Sequence, residues 1–191
     1  MNHFKDKISV LFLTLLIGLM FSSCEKDDPV PINEEELITT VRITCTPVPG
    51  GETVVLSFVD LDGDGGNAPL ISGGVFKSNT TYDVGVEFLN ETSVPIDDIT
   101  QEVRNEGKEH QVFMSSVGGI DFSYAYLDSD LDGNPIGLEM QFFIGAVSSG
   151  QLSFTLRHQP NKSATGVKEG DLTNAGGETD VEVLFPVSII E

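Results

Sequence analysis

Asp128, Asp130 and Asp132 stand at alternate positions ahead of Gly133, and Glu139 falls at the twelfth position of the same run. That is the D-x-D-x-D-G-x5-E spacing of a calcium loop. Calcium takes about six to eight oxygens, and acids at alternate positions of a tight loop converge while glycine permits the turn. The flanks, 122–127 and 138–144, read as strands rather than the helices of an EF-hand, Pro135 takes the eighth position, and Glu139 lies well into the following strand. A shorter copy places Asp60, Asp62 and Asp64 around Gly63 and Gly65, but its twelfth position is Ile71, so a closing carboxylate is missing. Asp-Gly and Gly-Asn pairs are also what hairpin turns require. Both loops therefore carry two readings: turns alone, or turns that also bind calcium.

Two histidines lie beyond the N-terminal leader. His110 follows Glu106 and Glu109 at the end of a helical pattern, and His158 extends the stripe of Leu152, Phe154 and Leu156 at a strand's end. Two imidazoles and a carboxylate could hold zinc or copper, but these histidines are 48 residues apart and only the fold can unite them. The plainer reading is a hydrogen-bonded histidine at a sheet edge. Cys45 shares strand parity with Leu37, Val41 and Ile43 and reads as a small buried apolar residue. No nucleophile elbow, HExxH, P-loop or dinucleotide fingerprint occurs. Tryptophan is absent, which weakens any carbohydrate site, since sugar faces stack on aromatic rings.

The leader is specific about address. Lys5 and Lys7 precede an apolar run from Ile8 to Phe21 that ends in Ser22-Ser23-Cys24. A positive head, a short apolar core and small residues before a cysteine make a secretory signal, 1–23, with Cys24 left to take lipid. The run is shorter than the ~20 residues a membrane span needs. Phe21 and Ser23 depart from the commonest lipobox residues. Glu25-Lys26-Asp27-Asp28 directly follow the cysteine, and the lysine and two acids resemble the signal that sends lipoproteins of the Bacteroidota to the outer face of the outer membrane. Residues 24–36, acidic and proline-bearing, read as a tether. With Cys24 lipidated, Cys45 has no partner in the chain and no disulfide forms.

The whole chain carries a formal charge of −20, and losing 1–23 makes it more negative. Binding to nucleic acid or anionic headgroups is disfavoured. From Leu37 onward the dominant period is two, as in Tyr82-Val84-Val86-Phe88, Phe122-Tyr124-Tyr126 and Val181 through Ile189. Such alternation means strands with one face in a core and one in water. Eight or nine short strands separated by Gly, Asn, Asp and Pro clusters predict an all-β domain over 37–191. The expected form is an antiparallel β-sandwich, Ig-like or jelly-roll-like, with Cys45, Phe58, Val86, Tyr124, Phe154 and Val183 inside. One segment differs. Pro95 to Glu106 places Ile96, Ile99 and Val103 at helical spacing, with Gly107 to end it.

Leu37 to Val41, Phe58 to Gly66, Leu156 to Lys162 and Asn174 to Asp180 together resemble small Bacteroidota lipoproteins labelled as having a type 1 periplasmic-binding fold. That label implies two lobes of alternating strands and helices, whereas the period-two pattern with one helix candidate implies the sandwich. The resemblance assigns no catalytic residues. Lipid attachment, the outward address and the sandwich give the leading expectation: a non-catalytic accessory or interaction subunit held in the outer membrane by Cys24, with a β-barrel transporter as partner. A metal- or small-ligand-binding lipoprotein using the acidic loops or the two histidines is the second reading, and a hydrolase the third.

Overall fold

The computed structural model describes residues 37–63 and 65–191. The signal run, Cys24, Lys26, Asp27, Asp28 and the tether lie outside the described residues, as does Asp64.

The alternating runs become strands. In chain order they are β1 (Thr40–Val48), β2 (Val54–Val59), β3 (Leu70–Ser72), β4 (Gly74–Lys77) and β5 (Thr80–Leu89), then helix α1 (Ile99–Asn105). After the helix come β6 (His110–Val117), β7 (Phe122–Tyr126), β8 (Glu139–Ile144), β9 (Ser148–His158) and β10 (Glu178–Ile190). They form two sheets, a six-stranded one in the order β3-β2-β1-β5-β8-β7 and a four-stranded one in the order β4-β10-β9-β6. All pairings are antiparallel except β4 with β10, which run parallel. The expected all-β sandwich is what the chain forms. Alternating strands and helices in two lobes are not found among the described residues.

One apolar cluster fills the space between the sheets. Ile43, Cys45, Val86, Phe88 and Phe142 come from the larger sheet; Phe154, Leu156, Val183 and Phe185 come from the smaller. Phe88 meets Phe154 across the gap at 5.9 Å between ring centroids, and Phe154 meets Phe185 at 6.3 Å. Offset and edge-on contacts of this kind add to the burial term. Cys45, Val86, Phe154 and Val183 are buried as expected, while Phe58 and Tyr124 are only half-buried against the cluster. Their strands explain it: β2 is covered on one side only by the three-residue β3, and β7 is an edge.

Cys45 is fully buried, and desolvation pushes its thiol up to about 12. Reaction requires the thiolate. Iodoacetamide at pH 8 should therefore leave the folded domain's thiol unmodified and label it completely in denaturant; rapid native labelling, followed by mass spectrometry, would contradict the burial.

The helix is shorter than its sequence pattern. It starts at Ile99, not Pro95, because Asp98 caps it by accepting from the Thr100 N–H at 3.2 Å, and Asn90 and Asp97 bridge just before it. Ile99 and Val103 are buried; Ile96 stays exposed. Thr100 then ties the helix to β5, donating to the Phe88 carbonyl and accepting from its N–H.

The outer face of the smaller sheet is partly covered by segment 160–177, through a small cluster of Phe113, Val167 and Ala175. This segment carries Lys162 against the acidic loop and Gly176-Gly177 against the end of β9.

Candidate functional site

β6 and β9 are neighbours whose register pairs His110 with His158. Both side chains share the inner parity of their strands, so they meet at one end of the sandwich, stacked at 4.7 Å between centroids with planes 18° apart. His110 is fully buried and His158 nearly so.

A third residue joins them that strand parity alone would place outside. In β10 the stripe Val181, Val183, Phe185 faces inward, which should turn Asp180 outward. The ladder to β9 shifts between Thr179 and Val181, so Asp180 is an extra residue in a β-bulge. Bulges re-aim side chains, and here the carboxylate swings inward, leaving its side chain 5% exposed. Asp180 Oδ2 lies 3.9 Å from His110 Nε2, and Oδ1 lies 3.8 Å from His158 Nδ1.

Two local devices hold the bulge. Gly177 has φ +69, and a Cβ there would collide with the His158 carbonyl, so glycine alone lets β10 begin this close to the end of β9. The Arg157 guanidinium donates to the Gly176 carbonyl at 2.7 and 3.0 Å, to the Gly177 carbonyl at 2.9 Å and to the Thr179 hydroxyl. Those bonds fix the turn immediately before Asp180.

The outer nitrogens of the rings are also engaged. His110 Nδ1 lies 3.2 Å from the Glu106 carbonyl, at the end of α1. A carbonyl only accepts, so Nδ1 carries a proton, and Nε2 faces Asp180. His158 Nε2 lies 3.7 Å from the half-exposed Glu109 carboxylate. Burial pushes His110 down to about 4, the adjacent His158 adds to this, and the Glu106 carbonyl and Glu109 resist only in part. Among the described residues, this trio is the group of three His, Cys, Asp or Glu side chains whose ligand atoms lie within 4.8 Å of one another.

The acidic loops are arranged differently. Asp128 accepts from the N–H groups of Gly137, Leu138 and Glu139 at 2.8, 2.9 and 3.3 Å. Asp130 accepts from the N–H groups of Asp132 and Asn134, both at 2.9 Å, and from Lys162 at 3.2 Å. Asp132 pairs with Lys108 at 2.9 Å, and Glu139 with Arg104 at 3.3 Å. The four carboxylates thus face separate partners instead of converging on one point, and this is the bonding of a tight turn. At the first loop Asp60 accepts from the Gly63 N–H at 2.9 Å and Asp62 from the Asn67 N–H and side-chain amide at 3.0 and 2.7 Å. The Asn67 bonds hold the Asp62 carboxyl below its ordinary range.

Lys162 has no signal in the sequence pattern, yet it is the buried cation that meets Asp130 of the second loop. Its buried Nζ donates to the carbonyls of Gly107 and Pro135, the latter at 2.8 Å, as well as to Asp130. Desolvation lowers its pKa and Asp130 opposes that. Burial likewise works against ionisation of Asp130, but the Asn134 donors and the ammonium outweigh it and hold the carboxyl low.

Comparisons with protein-family models, with curated proteins and with solved structures found no match.

Proposed function

We propose that this chain is a lipid-anchored lipoprotein of the outer membrane, facing outward, whose β-sandwich acts as a non-catalytic accessory or interaction subunit. The observation that carries the reading is the order Lys5, Lys7, apolar run, Cys24, Lys26-Asp27-Asp28 ahead of a domain whose first strand begins at Thr40. A dozen tether residues separate lipid from fold, and the net charge of −20 keeps the domain from lying down on anionic headgroups. Val94 and Leu131, 98% and 95% exposed in loops, are apolar side chains available to a protein partner. The partner class that suits such a tethered domain is a β-barrel transporter.

Protease added to intact cells should degrade the protein. Complete protection, with the outer membrane shown to be intact, would overturn the outward placement. Cys24→Ala should release the protein from the membrane fraction, because each acyl methylene contributes about 0.8 kcal/mol of burial. Cross-linking on whole cells, followed by purification in detergent, should recover a β-barrel protein in a defined ratio; recovery of the chain alone would remove the accessory role.

A further inference from the structure

We propose that His110, His158 and Asp180 form a binding site for a divalent transition-metal ion, zinc foremost. The case rests on donor chemistry and placement. Two imidazoles and one carboxylate are a borderline-soft set suited to zinc rather than to calcium or magnesium, which take oxygen donors. One ligand atom from each of the three side chains, a ring nitrogen from each histidine and one carboxylate oxygen, stands within 4.8 Å of the other two.

A tetrahedral ion with bonds of about 2.0–2.1 Å needs donors about 3.3 Å apart. The 3.9 and 3.8 Å approaches run to the two different oxygens of Asp180, and the three-donor set spans up to 4.8 Å, so it contracts by up to about 1.5 Å on binding. The rings must also open from their 18° stack, since lone pairs in parallel planes do not intersect. Both adjustments are side-chain rotations within a fixed strand register.

The surroundings have the form that orients metal ligands. A ligating histidine characteristically gives its other N–H to a carbonyl or carboxylate. His110 has the Glu106 carbonyl in that place at 3.2 Å, and the Glu109 carboxylate approaches His158 Nε2 to 3.7 Å, just outside hydrogen-bond distance. Glu109 is half-exposed beside the nearly buried His158 and marks the approach from solvent. Glu178, the register partner of His158, adds a second acid at that edge. A cation entering there is drawn by a negative mouth, and three protein donors leave a fourth position for water.

The test uses the full-length protein in detergent, stripped with chelator and titrated with cobalt(II) as a spectroscopic stand-in, then with zinc. One equivalent of cobalt should give the strong visible d–d bands of a four-coordinate ion, and zinc should bleach them. Zinc should also raise the melting temperature with the logarithm of its concentration. Asp180→Asn and His158→Gln should each weaken zinc binding by at least 100-fold. Glu109→Gln, exposed enough to leave folding intact, should weaken it by about 10- to 100-fold. If the buried variants fail to fold, Glu109→Gln decides the matter. A folded wild-type protein that gives only the faint spectrum of six-coordinate cobalt, or zinc affinity unchanged in Asp180→Asn or in Glu109→Gln, would overturn the site.

Discussion

Replacing Lys162 with methionine should cost the domain about 3–5 kcal/mol, the range for breaking a buried ion pair from one side. The side chain of Asp130 is 1% exposed and that of Lys162 6%. Methionine would fill the aliphatic space while leaving a carboxylate and the carbonyls of Gly107 and Pro135 without their ammonium donor. Burying unmatched polar groups in this way is what makes the loss large. At roughly 2–4 °C per kcal/mol for a chain of this size, the melting temperature should fall by about 10 °C. The double variant Lys162→Met, Asp130→Asn should recover part of the loss, because the uncompensated charge is gone. A fall of under 1 kcal/mol in denaturant titration would mean the pair is far better solvated than its burial indicates. Acid offers an independent check. The folded carboxyl of Asp130 is held below its ordinary value, so its contribution is present above the unfolded pKa, ~3.9, and fades as pH falls through the lower folded value. Asp130→Asn should remove that portion of the acid sensitivity.

Val183→Asp should be more damaging still. Val183 is 3% exposed in β10 with Phe154 opposite it in register, at the centre of the core between the sheets. A carboxylate there has no partner, and burying one costs several kcal/mol even after its pKa rises. Domains commonly hold only about 5–15 kcal/mol in total, so loss of a cooperative melt is the expected result. The adjacent Leu184 supplies the control. It is 42% exposed on the outer face, and Leu184→Asp should change stability by roughly half a kcal/mol, as surface substitutions do. Equal damage from both, read by circular dichroism, would refute the assigned facing of the strand.

Much of the architecture was legible because most strands have one wet face and one dry face, and alternation reports that directly. The reading weakened where a strand lacked length or cover. β3 and β4 are three and four residues long, too short to display a period, which is why ten strands emerge among the described residues where eight or nine were expected. Phe58 and Tyr124 obeyed parity but sit near or at sheet edges, where facing inward does not complete burial. The helix pattern ran four residues too far back because helical spacing at Ile96 carried no information about the Asp98 cap.

The candidate site was legible only by halves. His158 announced an inner position at a strand end and His110 only the end of a helical pattern, and their juxtaposition is a matter of sheet order. Asp180 was invisible, since the apolar stripe that follows it assigns it to the wrong face until the bulge is known. Lys162 is a single lysine in a polar segment, and nothing local distinguishes it from a solvated one. In the loop at 128–139 the spacing was legible, whereas the destination of each carboxylate depended on Arg104, Lys108 and Lys162 arriving from elsewhere in the chain.

The extra residue at position 180 acts as a phase shift in the code of β10. Upstream of it the strand is written in one frame, downstream in the other, and only the offset aligns the stripe from Val181 to Ile189 with the core while also turning a carboxylate inward. A single-codon deletion at 180 would restore one continuous frame, keep every apolar residue from 181 onward in place, and leave the two histidines without a third donor. A deletion two or more residues later would invert part of the stripe and wreck the core. The gain or loss of this acid is thus separable from the integrity of the sandwich by one in-frame step, which makes the start of β10 a place where the proposed site can be added or removed without refolding around it.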